Sequence, residues 1–98
     1  MPTLFEYFGI IVMFHSNEHE PIHVHAFYND ADIKISSFIR KGEIYRTTYK
    51  AIHGKFPNNK LKQLKKLIGH YKFEILQLWF EFFVLKKDIS PKKINKKL

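Results

Sequence analysis

Glu18-His19-Glu20-Pro21-Ile22-His23-Val24-His25 gathers three of the chain's six histidines and two carboxylates around one proline. Side chains two apart on a β-strand leave the same face, so a strand over residues 22–28 sets the imidazoles of His23 and His25 side by side. Pro21 fixes its own φ and pushes Glu20 into an extended conformation. His19 and the two glutamates then lie in a turn at the strand's mouth, placed to fold back over the pair. That arrangement suits a divalent metal held by His19, His23 and His25, with Glu18, Glu20 or His15 completing the shell or orienting a ring. The chain has no cysteine, so imidazole and carboxylate are the ligands on offer, and zinc is the foremost ion. The alternative is that these histidines satisfy backbone groups of the turn and the sheet edge. His-x-x-x-His-x-His with its first histidine in a loop is a suggestive spacing rather than a strict zinc signature. No catalytic nucleophile stands out, because Ser16, Ser36 and Ser37 lack the context of a triad.

The elements that must position this cluster can be read from the periodicity. Residues 8–14, Phe-Gly-Ile-Ile-Val-Met-Phe, are β-branched and aromatic and predict a strand buried on both faces. A loop over 15–21 leads to the strand at 22–28. Asn29-Asp30 is a two-residue turn signal, and residues 32–38 form the next strand, with Ile33 and Ile35 inward and Lys34 and Ser36 outward. Residues 40–43 are a turn. Residues 44–49 predict a polar edge strand whose Arg46, with Lys50 beyond it, discourages further pairing.

After Gly54-Lys55-Phe56-Pro57 the period changes. Asn58 and Asn59 are candidate N-caps. Leu61, Leu64, Ile68, Tyr71, Ile75, Leu78, Phe82 and Leu85 then follow at alternating spacings of three and four, a helical seam. Gly69 weakens its middle by about 1 kcal/mol relative to alanine, so one long helix or two meeting near Gly69-His70 both fit. A second seam, Phe73, Leu76, Phe80 and Phe83, makes the later part apolar on two sides and predicts an association surface, in a homodimer or with a small partner protein.

With 98 residues, 45% of them hydrophobic, the chain is expected to fold as one domain over residues 1–87. The lysine-rich remainder, 88–98, is expected to be a basic, disordered tail. Net charge is +8, which invites a nucleic-acid partner. The predicted contacts are Lys86, Lys87, Lys92, Lys93, Lys96 and Lys97, with a weaker patch at Arg46, Lys55, Lys60, Lys62, Lys65 and Lys66. The start of the chain lacks a basic leader, and its apolar run is too short for a membrane span. A cytoplasmic location without membrane contact is the expectation. No glycine-rich phosphate loop, zinc-finger, helix-turn-helix or RNA-recognition motif occurs.

Met1-Pro2-Thr3, Gly9-Ile10-Ile11-Val12-Met13, His19-Glu20-Pro21-Ile22-His23-Val24-His25-Ala26, Gly54-Lys55-Phe56-Pro57 and Trp79 together resemble the small bacterial family catalogued as domain of unknown function 4160. The resemblance spans roughly residues 1–85. Its most specific part is the histidine core, where His19, Pro21, His23 and His25 fall on the motif positions. Ile22 stands where a second proline is usual and Phe56 where leucine is usual, and the segment 37–52 is longer than the family pattern. The resemblance implies a compact α+β domain, often found beside another small uncharacterised protein, with a toxin–antitoxin module as one suggested setting. It brings no established activity.

The combined expectation is an α+β fold: an antiparallel sheet of three to four strands, followed by one long or two shorter C-terminal helices packed on it. The leading functional expectation is a component of a bacterial toxin–antitoxin-like module, acting through protein association with a nucleic-acid contact. The alternative is a metal-dependent hydrolase or nuclease centred on His19, His23 and His25.

Overall fold

The computed structural model describes residues 2–15 and 21–98. Its frame is a single six-stranded sheet in the order β5-β4-β3-β2-β1-β6. The strands are β1 (Thr3–Tyr7), β2 (Ile10–Phe14), β3 (Ile22–Tyr28), β4 (Ala31–Arg40), β5 (Glu43–His53) and β6 (Lys92–Ile94). β1 to β5 form an antiparallel meander. The α+β class is as expected, but the strand count exceeds three to four.

Two of the extra strands have identifiable causes. The run over residues 8–14 is not one strand: Phe8 and Gly9 form the tight turn between β1 and β2, both with positive φ (47° and 86°). Two left-handed residues match the twist of a hairpin. Phe8 lacks the Asn or Asp that normally announces such a turn, which is why the break was not legible. Leu4 and Phe5 are both buried, because the β1–β2 register slips between Thr3 and Phe5.

The other unforeseen strand lies in the lysine-rich terminus. Residues 88–98 are not a disordered tail throughout, since β6 pairs in parallel with β1, setting Tyr7 against Ile94. Ile94 is buried, and the Leu98 N–H donates to the Tyr7 hydroxyl at 2.9 Å. An isolated apolar side chain among lysines is enough to dock here, because the free edge of β1 offers backbone donors and acceptors that would otherwise go unmet.

β5 is the opposite edge, as its polar character predicts, and it is longer than the expected 44–49. The chain then crosses one face of the sheet through α1 (Asn58–His70), α2 (Lys72–Trp79) and a π-helical turn (Phe80–Val84). The break falls at Tyr71, close to the predicted Gly69-His70. Pro57 occupies the N-cap of α1 without any side-chain cap, so Asn58 and Asn59 are first-turn residues rather than caps. Proline at this point supplies the fixed φ that launches the helix.

One core lies between the helices and this face. Leu64, Leu67 and Ile68 of α1 and Ile75 of α2 pack with Val12, Phe14, Val24, Ile33 and Ile35. Phe5 meets Tyr71 at 5.0 Å between ring centroids, and Phe14 meets Phe83 at 5.5 Å. The first helical seam is thus largely buried or half-buried, except for Leu85 at its end. The second seam divides: Leu76 and Phe83 pack against the core, whereas Phe73 and Phe80 are 63% and 48% exposed.

Candidate functional site: the open face of the sheet

Burial alternates along β3 from Ile22 to Phe27, with Ile22, Val24 and Ala26 inward. His23, His25 and Phe27 therefore share the opposite face, which no described helix covers. The antiparallel register lays rows across that face. His25 stands between Met13 and Lys34, and Lys34 is opposite Lys50. In the next row His23 is opposite Ser36, and Ser36 opposite Thr48. Beyond them Phe38 is opposite Arg46, whose guanidinium lies 5.1 Å from the Phe38 ring centroid. His15 extends β2 alongside His23, its N–H donating to the His23 carbonyl at 3.0 Å.

The imidazoles are held by their neighbours on β4. His25 Nδ1 lies 2.8 Å from Asp32 Oδ1, and both side chains are largely buried. A carboxylate can only accept, so Nδ1 carries the proton and Nε2 the lone pair of the neutral ring. That Nε2 is buried with no hydrogen-bond partner among the described residues. His15 stacks on His25 at 4.7 Å between centroids, and Phe27 stacks from the other direction at 5.8 Å. His23 Nδ1 lies 2.8 Å from the Ser36 hydroxyl. Desolvation lowers the pKa of His15 and His23 below the ordinary 6.5, and the Lys34 ammonium and the neighbouring imidazoles push in the same direction. Both rings are neutral at pH 7, so the face offers lone pairs and N–H donors beside fixed cations.

The predicted site residues thus divide. His15, His23 and His25 come together on one face; His19, Glu18 and Glu20 lie outside the described residues. Among the described residues no group of three His, Asp or Glu is disposed to hold a metal. The predicted nucleic-acid lysines are scattered. Lys92 is paired with Glu74 at 2.9 Å, Lys87 donates its backbone N–H to the Glu81 carbonyl, and Lys93 lines a cleft beside the β1–β2 turn. Lys97 joins Lys62 and Lys66 around a cleft of about 250 Å³. Lys86 and Lys96 are exposed. Sequence reading passed over Asp32 as a partner of His25, and Lys34, Lys50 and Thr48 as neighbours of the histidines. The alternation of Asp32, Lys34 and Ser36 was the available signal; the register that sets them beside β3 was not.

An α+β domain with a helix-covered meander and a histidine-bearing open face is the class this architecture defines. The chain belongs to the family described as domain of unknown function (DUF4160), which it matches over residues 9–80. No curated protein and no solved structure matches it. Among the described residues no helix is long and apolar enough to cross a membrane.

Proposed function

We propose that this protein contacts nucleic acid, within a small bacterial two-protein module of toxin–antitoxin type, and that the open face of β2–β5 is its phosphate-contacting surface. The observation that carries the reading is the Lys34–Lys50 pair. Like charges directly opposite on one sheet face destabilise it, and neither lysine has an ion-pair partner among the described residues. A phosphate between them removes the repulsion. Ser36, Thr48, His23 and Arg46 supply further donors in adjoining rows, and the half-buried Phe27 and Phe38 offer rings on which unpaired bases stack.

Binding of a fluorescent single-stranded RNA, followed against salt, tests this directly. Each phosphate contact on a single strand contributes about 0.7 to the log–log slope, so Lys34→Met with Lys50→Met should flatten it by about 1.4. An unchanged slope in that variant, with a flattened slope on removing residues 92–98, would return the contact to the terminus.

A second reading, a metal-dependent hydrolase or nuclease, is favoured by the anchoring of both imidazoles through Nδ1. Metal-bound histidines usually carry such a partner on the far nitrogen, and the unpartnered His25 Nε2 is a donor atom in waiting. His23 and His25 would hold the ion, zinc foremost, with His19, Glu18 or Glu20 as further donors. The Lys34 ammonium opposes a second cation here, which ranks this reading below the first. Calorimetry with zinc separates them: heat that disappears in His23→Ala with His25→Ala supports the metal, and no heat in the wild type removes it.

A further inference from the structure

Residues 97 and 98 run beside α1, and together they line the cleft of about 250 Å³ on the helical side. Lys62 and Lys66, one turn apart and so on the same side of α1, line it with Gln63. Lys97 and Leu98 line it from the terminus, and Tyr7 from the end of β1.

The positive charge is local to this cleft. α1 and residues 89–98 carry four lysines each and no aspartate or glutamate. Lys62, Lys66 and Lys97 have no ion-pair or hydrogen-bond partner among the described residues, Leu98 included. Glu74, the acid that reaches the terminus, is committed to Lys92. Two polar groups in the wall are unmet as well. Tyr7 is 1% exposed, and its hydroxyl accepts from the Leu98 N–H at 2.9 Å but donates to no described acceptor. A buried phenol normally uses its proton. Gln63 Oε1 is buried without a partner, and a half-turn of the amide brings its NH2 donors to that position.

We infer that this cleft is a binding site for a diphosphate group, free or carried by a nucleoside. The ammoniums of Lys62, Lys66 and Lys97 hold it, with the Tyr7 hydroxyl and the Gln63 amide as further donors. Three point charges without an arginine fork suit the many oxygens of a phosphoryl polyanion better than one planar carboxylate. The cleft is smaller than a site for a drug-sized molecule, which favours a compact anion. Bound there, the anion offsets the repulsion between two segments whose only charged residues are lysines and ties the terminus to α1. This goes beyond the proposed function and uses none of the groups on the open face.

Calorimetry of the full chain with pyrophosphate tests this, in about 0.15 M salt so that diffuse attraction between exposed charges is screened. One pyrophosphate per chain should bind, at least about tenfold more tightly than sulfate. Lys62→Met with Lys66→Met, both at exposed positions, should weaken it at least about tenfold. Lys65→Met with Lys87→Met removes the same charge outside the cleft and should change the affinity less than about twofold. Lys34→Met with Lys50→Met should leave pyrophosphate binding unchanged, so failure here and failure at the open face are read separately. A nucleoside diphosphate titrated beside pyrophosphate distinguishes the sources: binding of either supports the site, and the tighter of the two names its ligand. No heat with either, equal weakening in the Lys62/Lys66 and Lys65/Lys87 variants, or full displacement of pyrophosphate by a single-stranded RNA would overturn the inference.

Discussion

Asp32 fixes the tautomer and orientation of His25, and through it the ring on which His15 stacks. Removing the carboxylate leaves a largely buried imidazole without its one side-chain hydrogen bond among the described residues. Asp32→Ala should therefore cost about 1–2 kcal/mol, measurable by urea unfolding at pH 7. His15 and His23 make a second prediction, since desolvation and the Lys34 charge hold their folded pKa values below 6.5. Between the folded and unfolded values the unfolded chain binds more protons, so their contribution makes stability rise with pH across that window and fall as the pH drops through 6.5. Lys34→Met should move both imidazoles back toward 6.5 in a proton NMR titration; unchanged titrations would show that the ammonium does not act on them. That His23 and His25 share a face was legible from their spacing. Asp32 was not, because it reaches His25 diagonally across a strand pair whose register depends on the Asn29-Asp30 turn.

The elements show where local signals suffice and where they do not. The alternation in β3 and β4 and the edge position of β5 could be read from the sequence, because each rests on a period or on polar character, while Gly69 left one helix and two equally open and the break falls at Tyr71. β1 and its turn could not, since Phe8 adopts a left-handed conformation with no residue to advertise it. Gly9 does the work at that corner: a Cβ there would lie 3.0 Å from Tyr28 Cε1, and its φ is 86°. Gly9→Ala should destabilise by about 1–2 kcal/mol through the left-handed backbone alone, with the Tyr28 contact adding to it. Gly69 is the opposite case, with open space where a Cβ would go and no left-handed φ. Gly69→Ala should stabilise the protein by up to about 1 kcal/mol. Thermal unfolding of both variants checks the pair, and a stabilised Gly9→Ala would contradict the turn.

Across the whole molecule, two different surfaces lie on opposite sides of the sheet. One is the open face of the sheet, with imidazoles, hydroxyls and an opposed lysine pair. The other is the helical side, where Phe73, Phe80 and Val84 are exposed. Composition had assigned the charge to a disordered tail, but β6 ties that segment to β1 and commits Lys92 to Glu74. Part of the terminus is thereby held against the fold, with Lys93, Lys96 and Lys97 still exposed. The proposed nucleic-acid contact instead depends on the cross-strand rows of β3, β4 and β5, which only the register brings together. Backbone amide shifts of the full chain, recorded while a single-stranded RNA is added, test this most directly. The account predicts perturbations at Phe27, Lys34, Ser36, Phe38, Thr48 and Lys50, on the open face. Perturbations confined to α1, β6 and the residues after it would contradict it.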